Sequence, residues 1–122
     1  MSGERIVLDT SALIDYVKGV DAVASAFLGC EVFLSVVTEI EFLAWPGMPE
    51  ERQADAQAFL KEYTSTGISV AIRDHAAWIR RNLKLKLPDA VIAATALHLK
   101  APLLTRDKGF QKVAKLIEVR MV

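Results

Sequence analysis

The 122 residues, 52% apolar and 25% charged with zero formal net charge, sustain one domain with a real core and exclude a disordered polar chain. A single cysteine, Cys30, excludes a disulfide framework or a cysteine zinc site, and no apolar run reaches the length of a membrane helix or secretory signal, so a cytoplasmic protein is expected. Charge is uneven: residues 1–72 carry four Lys/Arg against eleven Asp/Glu, and residues 73–122 carry eleven against four, which suits either a basic face for nucleic acid or halves that attract each other.

Arg5-Ile6-Val7-Leu8-Asp9 reads as a short buried strand ending in an acid. A helix is expected over 11–18, stopped by Gly19, and a second over 21–28, closed by Gly29. Residues 31–35 are the next strand. The helix after it is placed at 38–45, because Thr38-Glu39-Ile40-Glu41 has the form of a capping box with Thr38 at the N-cap. Pro46-Gly47-Met48-Pro49 ends it. Residues 50–63 read as one amphipathic helix with Ala54, Ala58 and Phe59 on one side. A third strand is expected at 68–71, then a basic helix at 73–84 with Ala76, Ala77, Ile79 and Leu83 inward. Pro88 suits the first turn of a further helix running to about Lys100. Residues 102–105 and 116–119 are the fourth and fifth strands. Strands alternating with helices imply one α/β domain over 1–122, with a largely parallel sheet.

Parallel sheets present ligand sites outside the carboxyl ends of their strands. Asp9 ends the first strand, Glu41 lies in the first turn after the second, Asp89 opens the helix before the fourth, and Asp107 follows the fourth by two residues. Four acids on one rim repel each other unless a cation compensates them. Mg²⁺ or Mn²⁺ is the natural cation, because hard ions take carboxylate oxygens. Such an ion lowers the pKa of a bound water and neutralises charge on a reacting phosphodiester. His75 and His98 are too far apart for a local ligand pair.

Each acid also has a plainer occupation. Asp9 fits a helix cap, Glu41 closes the capping box, and Asp107 fits a cap on Lys108-Gly109-Phe110. Asp89 gains about 0.3–1 kcal/mol from the helix dipole. Glu39 and Glu41 lie about 200° apart around a helix, so one of them at most faces the cleft. Arg80, Lys84 and Lys86 precede Asp89 and are candidate contacts to nucleic-acid phosphates, although a basic helix face is commonly just solvated. Trp45 and Trp78 read as core or interface residues, and Met48 as an exposed loop residue or part of a partner surface.

Four stretches carry a family resemblance: Val7-Leu-Asp9-Thr10-Ser11, Ser35-Val-Val-Thr38-Glu-Ile-Glu41, Leu87-Pro-Asp89-Ala-Val-Ile-Ala-Ala-Thr-Ala96, and Leu104-Thr105-Arg-Asp107-Lys-Gly-Phe110. In this order the chain resembles the PIN-domain ribonucleases, and among them the VapC-type toxins of toxin–antitoxin pairs. The resemblance implies a three-layer α/β/α domain with strand order 3-2-1-4-5. It implies a Mg²⁺- or Mn²⁺-dependent endoribonuclease, a homodimer, and an antitoxin partner that binds apolar helices near the site. Carried over by residue, Asp9, Glu41, Asp89 and Asp107 match the family's acidic quartet, and Ser11 and Thr105 its small hydroxyl positions. The family's glycine shortly after the second acid is replaced here by Ala44-Trp45-Pro46-Gly47. Two rivals stand beside this reading. A haloacid-dehalogenase-type phosphatase requires a second Asp where Ser11 stands, and a catalytically silent PIN-like scaffold would grip RNA or protein without cutting.

Overall fold

A computed structural model describes residues 3–122. Five strands, β1 (Arg5–Leu8), β2 (Glu31–Ser35), β3 (Thr64–Thr66), β4 (Leu103–Thr105) and β5 (Val119–Met121), form one sheet in the order β3-β2-β1-β4-β5. All neighbouring pairs are parallel. β1 lies at the centre, and Ile6, Val7 and Leu8 are fully buried. A strand covered on both faces reads as a continuous apolar run, and that is how β1 reads.

Among the described residues six α-helices supply the covers: α1 (Thr10–Val17), α2 (Asp21–Ala26), α3 (Val36–Leu43), α4 (Gln53–Leu60), α5 (Val70–Leu83) and α6 (Leu87–Leu99). Successive strand side chains point to opposite faces. Val7 and Leu103 therefore join the core under α5 and α6, with Ile72, Ile79 and Ile92. Ile6, Leu8, Leu34 and Leu104 join the other core, with Leu13, Val23, Phe42 and Leu60 from α1–α4. The result is the α/β/α sandwich in the expected strand order. In α6 every residue from Ala90 to Ala96 is buried. A helix apolar all round must be covered on all sides, and its four buried alanines in that stretch let α5 and the sheet approach closely.

Several boundaries differ from the sequence reading. The third strand is Thr64–Thr66, paired with Phe33, Leu34 and Ser35, and not 68–71. That edge strand is polar and mostly exposed, so it carries no apolar signal. Ser69 instead caps α5, its Oγ accepting from the Ile72 N–H at 3.2 Å, and the helix starts at Val70. Ile72, Ala76 and Ile79 face inward along α5, whereas Ala77 is exposed. Thr38 is not an N-cap. Ser35 Oγ caps α3 by accepting from the Val37 N–H, and Thr38 lies buried inside that helix with no hydrogen-bond partner for its Oγ1 among the described residues.

Residues 50–52 form a 3-10 turn ahead of α4, and α4 buries Ala56 and Leu60 while Ala54 and Ala58 face solvent. β5 begins at Val119, because residues 108–113 coil as a 3-10 helix that buries Phe110 and Val113 first. Asp9 is the cap after β1 and not its last residue. The uneven charge resolves in part into attraction: Arg106–Asp15 and Arg120–Glu4 each join a base of the second half to an acid of the first.

Candidate functional site

The carboxyl ends of β1 and β4 lie side by side, with the Asp9 N–H donating to the Leu104 carbonyl at 3.1 Å. The chain leaves the sheet after Leu8 on one strand and after Thr105 on the other, and the side chains there bond to each other. Asp9, 2% exposed, caps α1: its Oδ1 accepts from the Ala12 N–H at 2.8 Å. Ser11 Oγ lies 2.9 and 2.8 Å from the two Asp9 oxygens, and Thr105 Oγ1 donates to Oδ2 at 2.6 Å. Thr105 Oγ1 in turn accepts from the Asp107 N–H at 2.9 Å, and Ser11 Oγ accepts from the Arg106 N–H at 3.2 Å. Ser11 and Thr105, the two predicted hydroxyl positions, are therefore the groups that orient Asp9.

Glu41 projects from α3, and its Oε1 accepts from Thr10 Oγ1. Glu39, on the other side of that helix, accepts from Ser65 on β3. The helical geometry thus separates the two glutamates as expected. Thr10, which bonds to the candidate residue Glu41, is one that the sequence reading passed over. Its signal was the run Asp9-Thr10-Ser11, three capping-type residues where one suffices. Asp89 stands in the first turn of α6. Asp107 Oδ1 accepts from the Gly109 N–H at 2.8 Å, capping the 3-10 helix.

The four predicted carboxylates are electrostatic neighbours. Burial, then the charges of Asp107, Glu41 and Asp9, push the Asp89 carboxyl above the ordinary aspartate range, against a smaller opposite pull from Lys86. The Asp9 carboxyl is also pushed up, chiefly by burial, with Asp107 adding to it; the donated bonds from Thr105, Ala12 and Ser11 oppose the shift. No salt bridge to any of the four is formed among the described residues.

An all-oxygen, anionic donor set without a paired base has the chemistry a hard divalent ion takes. As the side chains stand, however, no three or more Asp, Glu, His or Cys among the described residues are gathered tightly enough to enclose an ion. Asp9, Glu41 and Asp107 are each held by at least one donated hydrogen bond, whereas no hydrogen bond holds the Asp89 side chain among the described residues.

Of the basic candidates, Lys86 is the N-cap residue of α6, three positions before Asp89, and its charge opposes the upward shift of that carboxyl. Arg80 is partly committed, donating to the Leu85 carbonyl at 3.1 Å. Lys84 ends α5 in the left-handed region at φ 60°, and with Arg80 and Arg81 it lines an open basic hollow. Trp78 is 46% exposed and not a core residue, whereas Trp45 and Met48 are half-buried. Those two help line an apolar groove of about 630 Å³ with Tyr16, Val17, Phe42 and Phe59. Among the described residues no helix is long and apolar enough to cross a membrane.

The PIN domain family model matches residues 6–116. Among solved structures, a toxin–antitoxin complex from Klebsiella pneumoniae is similar at 27% identity and TM-score 0.80, covering 93% of this chain and 94% of that one. VapBC-1 from nontypeable Haemophilus influenzae is similar at 23% identity and TM-score 0.80, covering 96% and 97%. VapBC2 from Rickettsia felis, bound to a DNA fragment of its promoter, has 15% identity and TM-score 0.81, covering 97% and 98%. No protein of curated function matches.

Proposed function

Because the chain belongs to the PIN domain family, we propose that it is a Mg²⁺- or Mn²⁺-dependent endoribonuclease that hydrolyses RNA phosphodiester bonds, and the toxin of a toxin–antitoxin pair. The observation that carries the reading is the buried Asp9 carboxylate, held by Ser11 and Thr105 where the ends of β1 and β4 meet; the negative charges of Asp9, Glu41 and Asp107 acting on Asp89 support it. In this account the four carboxylates hold the divalent ion. When bound, that ion supplies a Lewis acid for the phosphodiester and a water of lowered pKa.

The chain's own side chains do the positioning. Ser11 and Thr105 fix the Asp9 carboxylate through their hydroxyls, and Thr10 fixes Glu41. Lys86, with Lys84 and Arg80 behind it, offers cations to RNA phosphates flanking the scissile bond. An antitoxin partner is supported by the toxin–antitoxin complex among the similar structures, and this reading seats its segment in the apolar groove between α1, α3 and α4. A homodimer acting in the cytoplasm belongs to the same reading.

The test is cleavage of a mixed-sequence RNA by purified protein, with Mn²⁺ and with chelator. Cleavage that chelator abolishes and Asp9→Asn abolishes supports the reading. A second reading, a silent PIN-like scaffold, draws on the ungathered state of the carboxylates; RNA binding without metal-dependent cleavage would establish it instead.

A further inference from the structure

We propose that the ion pair between Arg106 and Asp15 is a positioning device that holds the turn bearing Asp107 against Asp9, and so sets the spacing of the carboxylates. Its consequence for catalysis rests on the nuclease reading, but the positioning itself does not.

The ladder between β1 and β4 ends with the bond from the Asp9 N–H to the Leu104 carbonyl. Past it, residues 106–109 leave the sheet, and three of their amides bond to side-chain oxygens: Arg106 to Ser11 Oγ at 3.2 Å, Asp107 to Thr105 Oγ1 at 2.9 Å, and Gly109 to Asp107 Oδ1 at 2.8 Å. These are small contacts holding together a place where Asp9 and Asp107 repel each other. The Arg106 side chain adds a longer reach. Its Nε lies 2.7 Å from Asp15 Oδ2. Asp15 follows Ser11 by four residues, so both lie on one face of α1. That face grips the same residue twice, by its backbone through Ser11 and by its guanidinium through Asp15.

The two side chains are 32% and 30% exposed. A pair that open to solvent contributes little to global stability, so its effect is local. It resists displacement of the 106–109 turn away from α1, the helix that Asp9 caps.

The test uses the metal-free full chain. Amide hydrogen exchange is followed in the wild type, Asp15→Ala, Arg106→Ala and the charge-preserving Asp15→Glu. Local opening reports at amides whose bonds depend on the turn, so positions 106, 107 and 109 are expected to exchange about tenfold faster in both alanine variants. They stay near wild type in Asp15→Glu. Unchanged exchange at those amides overturns the proposal, and so does acceleration spread evenly over the chain, which marks a loss of global stability. Mn²⁺ titration by calorimetry is run alongside, with affinity expected to fall severalfold in the alanine variants. If the three amides respond but the wild type neither binds Mn²⁺ nor cleaves RNA, the positioning pair stands and the nuclease reading fails.

Discussion

Replacing Asp89 by Asn removes one charge from the acidic rim with almost no change of shape, and no hydrogen bond of the Asp89 side chain is lost among the described residues. The structure sets three like-charge neighbours against Asp89. Each such neighbour costs about 0.2–0.5 kcal/mol at surface-like screening. The first-turn position on α6 returns about 0.3–1 kcal/mol through the helix dipole. Desolvation is the largest cause of the upward shift, and it tips the balance against the anion.

The charge and dipole contributions range from about 0.4 kcal/mol in favour of the ionised form to about 1 kcal/mol against it, and desolvation adds to the penalty, so metal-free Asp89→Asn should melt up to about 5 °C above wild type. The sign with pH is fixed by the direction of the shift. A carboxyl whose folded pKa is raised costs nothing while it is protonated in both states. The penalty enters as pH rises from the unfolded value, near 3.8, through the raised folded value. The advantage of Asn is therefore full at pH 7 and gone at about pH 3.

Divalent metal reverses the order. At a Mn²⁺ concentration of about 100 Kd the wild type gains about 2.7 kcal/mol, and a variant that binds poorly does not. Thermal melts over pH 3–8, with Mn²⁺ and with chelator, read both effects. A variant less stable than wild type without metal at pH 7, or equally stabilised by Mn²⁺, refutes the reasoning.

Glu41→Gln keeps the acceptor for Thr10 Oγ1 and loses the charge, so RNA cleavage should fall by about 10²-fold or more while the melting temperature holds, as removing transition-state electrostatics does. Thr105→Val deletes a buried hydroxyl that serves both Asp9 and Asp107; a destabilisation of about 1–3 kcal/mol is expected by denaturant titration, the cost of leaving buried polar partners unpaired. Val17→Asp places a charge in the apolar groove at a side chain already 44% exposed, so the fold and RNA cleavage should be kept while capture of a co-expressed antitoxin is lost in pull-down.

The sequence announced what burial and periodicity control. Ile6-Val7-Leu8 and Val32-Phe33-Leu34 are apolar enough to demand an interior, and the all-apolar stretch of α6 leaves only a covered helix. It was silent at the edges. Thr64-Ser65-Thr66 pairs through its backbone with polar side chains outward, and nothing in residue type separates it from a loop. Thr38 misled because a capping box is a local pattern; Ser35, at the end of the strand, took the cap first and drew Thr38 into the helix.

The acids were legible one by one as helix and turn caps, and Asp9 and Asp107 do serve as caps. Their nearness was legible only through the parallel topology, which brings residues 9 and 105 into contact. The partnership of Thr10 with Glu41 and of Arg106 with Asp15 spans 31 and 91 positions of chain, and it needed coordinates.

Anomalous diffraction from crystals of the wild type soaked in Mn²⁺ tests most directly whether these carboxylates share an ion. A Mn²⁺ peak within coordinating distance of Asp9 and at least two of Glu41, Asp89 and Asp107 is the expected result. A fully soaked crystal with no peak on that rim, or with Mn²⁺ held elsewhere, contradicts the account.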